Sequence, residues 1–154
     1  MAAPPPGLEP DEHLIARASA SFRGAAAASV RSTFALSSAR RRLDAYRGWQ
    51  EPAAVAGFST VGPEFVLGLT DRGLVVWSTS FWFGRPRAIC GRIALSDIHD
   101  VAVARHGLVT GFAVAFRSGA VVEIETMRGR HLRHLAAAVR DRLSGSTAGD
   151  RFPS

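Results

Sequence analysis

His131 and His134 stand three residues apart in the run RHLRHLAAAVRDRL, a spacing that puts two imidazoles on one side of a helix. Such a pair can begin a metal site. A full zinc set needs further donors, and the chain offers a single cysteine, Cys90, and no acid converging on the pair. Glu123 and Glu125 alternate onto one face of a strand. A glycosidase also uses two carboxylates, but they must face each other; two acids side by side on one strand are the pattern of a solvated face. Gly-x-Ser-x-Gly, Walker and His-Glu-x-x-His motifs are absent. The five scattered histidines name no triad. Cys90 lies in an apolar strand pattern and reads as a small core residue rather than a nucleophile. Ser96 and Asp97 read as turn formers. No catalytic residue, metal or cofactor is therefore expected, and the chain reads as non-enzymatic.

Binding chemistry is better represented. The formal net charge is +6, and all 19 basic residues are arginine. Arginine forks onto carboxylates and phosphates better than lysine does, so an acidic partner fits the balance. Three stretches stand out. Phe81–Arg87 (FWFGRPR) sets Phe81, Trp82 and Phe83 beside Arg85 and Arg87, a composition suited to a partner interface or a membrane surface. Its alternative is an inward plug. Arg128, Arg130 and His131 crowd the start of a helix, where an anion would relieve them; the alternative is a solvated basic turn. From Arg17 to Arg47 there are seven arginines against one acid, Asp44, with Arg40, Arg41 and Arg42 in a row. That segment fits a membrane surface or a nucleic-acid backbone, or a helix that packs inward and leaves its arginines in water.

These residues hang on a simple organisation. At 154 residues the chain reads as one domain with a sizeable core. Residues 1–10 (MAAPPPGLEP) read as a disordered proline-rich tail and not as a signal peptide. Residues 11–50 read as a helical segment, from Ile15, Ala18, Phe22 and Ala26 at helical spacing, with Gly24 as a place to break. Residues 51–64 read as a linker with an edge strand near Val55–Thr60. Residues 65–126 read as about six short antiparallel strands, including Arg87–Ile93 and Ile98–Arg105, with a turn at His106-Gly107. Arg130–Leu143 is the clearest helix, with Leu132, Leu135, Ala136, Val139 and Leu143 as its stripe. Residues 144–154 read as a second disordered tail. No apolar run approaches the length of a membrane span.

Two hairpins can be put in register. A three-residue loop Arg117-Ser118-Gly119 pairs Phe116 with Ala120 and Val114 with Val122, which leaves Glu123 and Glu125 in water. A loop Asp71-Arg72-Gly73 matches Leu67 and Leu69 with Trp77 and Val75, with Gly73 supplying a positive φ.

The phrase LTDRGL (Leu69–Leu74), the ALSDI turn, the hairpin RHGLVTGFAVAF and a closing helix together resemble bacterial pleckstrin-homology-like domains, related in form to GRAM domains. The likeness covers about Phe65–Leu143, with an N-terminal helix of the actinobacterial type. It implies an α+β fold: a small bent antiparallel β-barrel or sandwich of six to seven strands capped by a C-terminal helix. It also implies binding of lipids, peptides or proteins rather than catalysis. Phosphoinositide-binding members resemble one another in a long basic loop between their first two strands. The corresponding loop here is read as Asp71-Arg72-Gly73, so no lipid-binding residue is carried over. The expectation is a cytoplasmic binding or scaffolding domain that meets a protein partner or the anionic inner face of the membrane, with nucleic acid as the alternative.

Overall fold

In a computed structural model, residues 3–25, 35–80, 84–127 and 129–149 are described. The chain runs β1 (Leu14–Phe22), α1 (Ala35–Val55), β2 (Glu64–Thr70), β3 (Gly73–Thr79), β4 (Pro86–Ile93), a 3-10 turn (Leu95–Asp97), β5 (Ile98–His106), β6 (Val109–Phe116), β7 (Val121–Thr126) and α2 (Arg130–Gly149). All seven strands form one antiparallel sheet in the order β4-β3-β2-β1-β7-β6-β5. It is an open sheet with β4 and β5 at its edges. β1 pairs with β2 from Leu14 to Ser21, with a register shift between Leu14 and Ala16, but with β7 only through Ser21 and Phe22, so the two halves of the sheet meet along a short seam.

β1 corrects the sequence reading, which places a helix from residue 11. In LIARASASF the side chains of Ala16, Ala18, Ala20 and Phe22 turn inward, and Arg17 and Ser19 turn outward. Alternation was masked because the inward residues are mostly alanine, which is at home in either period. The small inner face has a purpose in packing. It lets α2 lie close against β1, with Leu132, Leu135, Ala136 and Val139 in the same core as the inner residues of every strand. Helix does occur in this half: Ala25 is helical, residues 26–34 lie outside the described residues, and α1 at Ala35–Val55 extends into the expected linker. Its end is built by Gly57 at φ +99, with the Gly57 amide on the Ala54 carbonyl (3.0 Å) and the Phe58 amide on the Ala53 carbonyl (2.8 Å). That is a Schellman cap with Phe58 buried behind it, and Val55–Thr60 is therefore no strand.

The β6–β7 hairpin has the expected register, Val114 opposite Val122, with Gly119 at φ +95. The β2–β3 hairpin does not. Its turn is Asp71-Arg72, which pairs Leu69 with Leu74, Leu67 with Val76 and Val66 with Trp77. A slip of one residue moves Trp77 and Val75 to the opposite face. Both faces of FVLGL and LVVW are apolar, so no polar alternation could fix the register.

The outer face of β2–β4 is thus apolar and needs a cover. Residues 3–13, expected to be disordered at least to Pro10, supply it. Leu8 and Leu14 pack with Val66, Val75, Trp77 and Ile89, and Pro5 is buried. At the far end, α2 continues through residues 144–149, where the sequence suggests a loose tail. α1 closes one end of the inner core: Trp49 stacks on Phe65 (6.0 Å between centroids) and its Nε1 donates to the Glu123 carbonyl at 2.8 Å, while Tyr46 meets Thr60 at 2.8 Å.

Candidate anion-binding cleft

Reading β1 as a strand brings two distant basic stretches together. Arg17 and Ser19 project from the outer face of β1, beside Val66 of β2. The chain leading into β4 brings Gly84, Arg85 and Pro86 against them, and the first turn of α2 adds His131. Together they line a cleft of about 320 Å³. Its described lining carries two arginines, a histidine and a serine, and no carboxylate. The approach to β4 is held in shape by a short loop closure: the Ser80 amide donates to the Arg85 carbonyl at 2.9 Å, and the Gly84 amide to the Ser80 carbonyl at 3.3 Å. Gly84 carries φ +59, a left-handed conformation suited to glycine.

The cleft is chemically suited to a phosphate-like group. Arginine offers planar paired donors to such an oxyanion, and the hydroxyl of Ser19 can donate as well. His131 stands in the first turn of α2, where the helix dipole favours an anion.

Of the residues singled out in the sequence, Arg85 and His131 line this cleft, and Arg87 and Arg130 are exposed outside its lining. Phe81, Trp82, Phe83 and Arg128 lie outside the described residues. Arg40 and Arg41 are exposed on α1, and Arg42 pairs with Glu64 at 2.6 Å. Arg17 and Ser19 escaped the sequence reading as site residues. Their outward position shows only once RASAS is recognised as alternating.

The other chemical candidates stay apart. His131 and His134 are both exposed, and no group of three metal-ligating side chains occurs among the described residues. Glu123 pairs with Arg23. Cys90 is half-buried with its Sγ 3.4 Å from the Val76 carbonyl, and burial pushes its thiol up, away from thiolate character. The carboxylate with the strongest environment is Glu12. Its side chain is fully buried. Arg92 forks onto both its oxygens at 2.9 and 3.1 Å, and the Thr70 hydroxyl donates at 2.8 Å. The Arg92 hydrogen bonds, aided by Thr70, hold its carboxyl down to about 2 against the opposing cost of burial. This group is a clamp for residues 3–13 and has no access to a substrate.

A scan against models of known protein families finds no match, and a comparison with curated proteins finds none.

Proposed function

We propose that the chain is a non-catalytic binding domain that meets an anionic, phosphate-bearing membrane surface through the cleft of Arg17, Arg85 and His131. The observation that carries this reading is the convergence of two arginines and a histidine from three elements, with no acid among the described lining residues. The exposed Arg87 and Arg130 add positive charge on the adjoining chain. No helix among the described residues is long and apolar enough to cross a membrane, so contact is peripheral in this reading.

The pleckstrin-homology-like reading belongs here too. In its favour are seven antiparallel strands in two meanders with a C-terminal helix across the inner face. A further point concerns the loop between the first two strands. With β1 at Leu14–Phe22, that connection is residues 23–63 and carries Arg23, Arg31, Arg40, Arg41, Arg42 and Arg47. The three-residue loop that argued against lipid contact is instead the β2–β3 turn.

The test is vesicle sedimentation with Arg17→Ala/Arg85→Ala. The double variant is expected to lose at least tenfold in affinity for anionic vesicles while its thermal unfolding stays close to wild type, since both side chains are exposed. Unchanged sedimentation would remove the cleft from the contact surface.

A further inference from the structure

Residues 3–13 cover the outer face of β2–β4 in the manner of a bound peptide. They add no strand to the sheet: the segment enters β1 only at Leu14. Their anchors are side chains and isolated carbonyls. The Trp77 indole Nε1 donates to the Pro6 carbonyl at 2.8 Å. Arg92 Nη2 donates to the Gly7 carbonyl at 3.3 Å and, with Nη1, forks onto Glu12. Leu8 drops among Val66, Val75 and Ile89. Arg72 meets Asp11 at 2.6 Å at the exposed end. The Glu12 amide pairs locally with the Glu9 carbonyl and the Glu9 amide with the Glu12 carboxylate, while His13 exchanges two bonds with Asp71, its amide donating to Asp71 Oδ1 at 3.0 Å and its carbonyl accepting from the Asp71 amide at 3.1 Å.

The receiving face is preformed. The Trp77 ring lies across Gly68, so closely that a Cβ there would sit 2.5 Å from it. The indole is therefore held flat with its N–H directed at the segment. Gly7, at φ +84, passes Ile89 with no room to spare, a Cβ coming within 3.0 Å. A segment with prolines at 4, 5, 6 and 10 is stiff and loses little entropy when it docks. An aromatic N–H for a proline carbonyl, an apolar socket two residues on, and a guanidinium for a carboxylate six residues on together form a recognition pattern.

We propose that this outer face is a peptide-binding groove, filled in cis by residues 3–13, that takes in trans a segment of another protein turned as residues 6–7 and 10–11 are here, with glycine at the left-handed position of Gly7. The partner segment carries a proline, an apolar side chain two residues later and a carboxylate six residues after the proline. The groove borders the anion cleft at Val66, which lines both. Exchange of the segment would therefore be felt at the membrane-facing site.

The test uses the full chain and a fluorescently labelled peptide with the sequence of residues 3–13. In Leu8→Ser/Glu12→Gln the segment is weakened and the groove is untouched. Peptide binding, followed by anisotropy, is expected to be at least tenfold tighter to this variant than to wild type, whose own segment competes. Adding Arg92→Ala is expected to abolish it, and a scrambled peptide is expected not to compete. A folded double variant that takes up no peptide overturns the proposal. So does a dimer in sedimentation velocity held by mutual exchange of residues 3–13, because the occupant is then a second copy. Hydrogen exchange on the wild-type chain decides the matter even where the variant fails to fold. The bonded amides of Glu9, Glu12 and His13 are expected to exchange at least a hundredfold faster than those of β2 and β3. Exchange of these amides only through global unfolding makes the segment a fixed layer and overturns the groove.

Discussion

Glu12 has no exposed side-chain surface, and its carboxyl is held at about 2 by Arg92 and Thr70. Its value is depressed in the folded chain, so its contribution is complete above the ordinary carboxylate value of 4.5 and is lost as pH falls towards about 2. Glu12→Gln is therefore expected to flatten the acid limb of a melting-temperature profile between those limits and to lower stability at neutral pH. The neutral-pH loss is about 2 kcal/mol, below the usual range for a broken buried pair because Arg92 keeps contact with water. A profile that falls as steeply as wild type below pH 4.5 would assign the acid sensitivity elsewhere. Gly68→Ala acts on the neighbouring ring. It drives a methyl into Trp77 and is expected to cost about 2–3 kcal/mol in urea unfolding, with a change in tryptophan fluorescence. Neither residue announces itself in the sequence. Glu12 follows an aspartate ahead of an apolar run, as helix-start acids do, and Gly68 is only a glycine in a strand.

At the scale of elements, the hairpins show what can be read and what cannot. β6–β7 was legible because one face carries Phe112, Val114 and Phe116 and the other ends in Glu123 and Glu125, so only one register keeps the acids in water. β2–β3 was not, because the cover over its outer face comes from residues far away in sequence. β1 was hidden by alanine, and with it the outward pair Arg17 and Ser19. The site was accordingly half legible: Arg85 and His131 were flagged separately, but the element that joins them was read as a helix. Two glycines of similar appearance differ in what they do. Gly119 only turns a loop in open space, whereas a Cβ at Gly73 would lie 2.4 Å from the Ile93 carbonyl. Gly119→Ala is expected to cost about 1 kcal/mol from φ alone, and Gly73→Ala about 3 kcal/mol or more. Equal losses in urea denaturation would mean that β4 does not approach β3 as closely as described.

Over the whole molecule, one inner core gathers all seven strands, with α2 across it and Ala53 of α1 at one end. The outer face divides into two parts. Residues 3–13 cover the β2–β4 half. On the β5–β7 half, Ala102, Ala104, Gly111 and Ala113 floor a shallow depression of about 260 Å³ rimmed by Arg23, His106, Glu123 and Glu125. That depression has charges of both signs. Among its described lining residues the cleft at Arg17, Arg85 and His131 has basic groups and no acid, which is why the functional reading rests there. Its central claim is that the contact is electrostatic, and the most direct measurement is sedimentation of the wild-type chain with neutral and with anionic vesicles at low and at moderate salt. The account predicts co-sedimentation with anionic vesicles alone, weakening as salt rises because exposed charges are screened over about 8–10 Å near physiological ionic strength. Equal binding to neutral vesicles, or no binding to anionic vesicles at low salt, would contradict it.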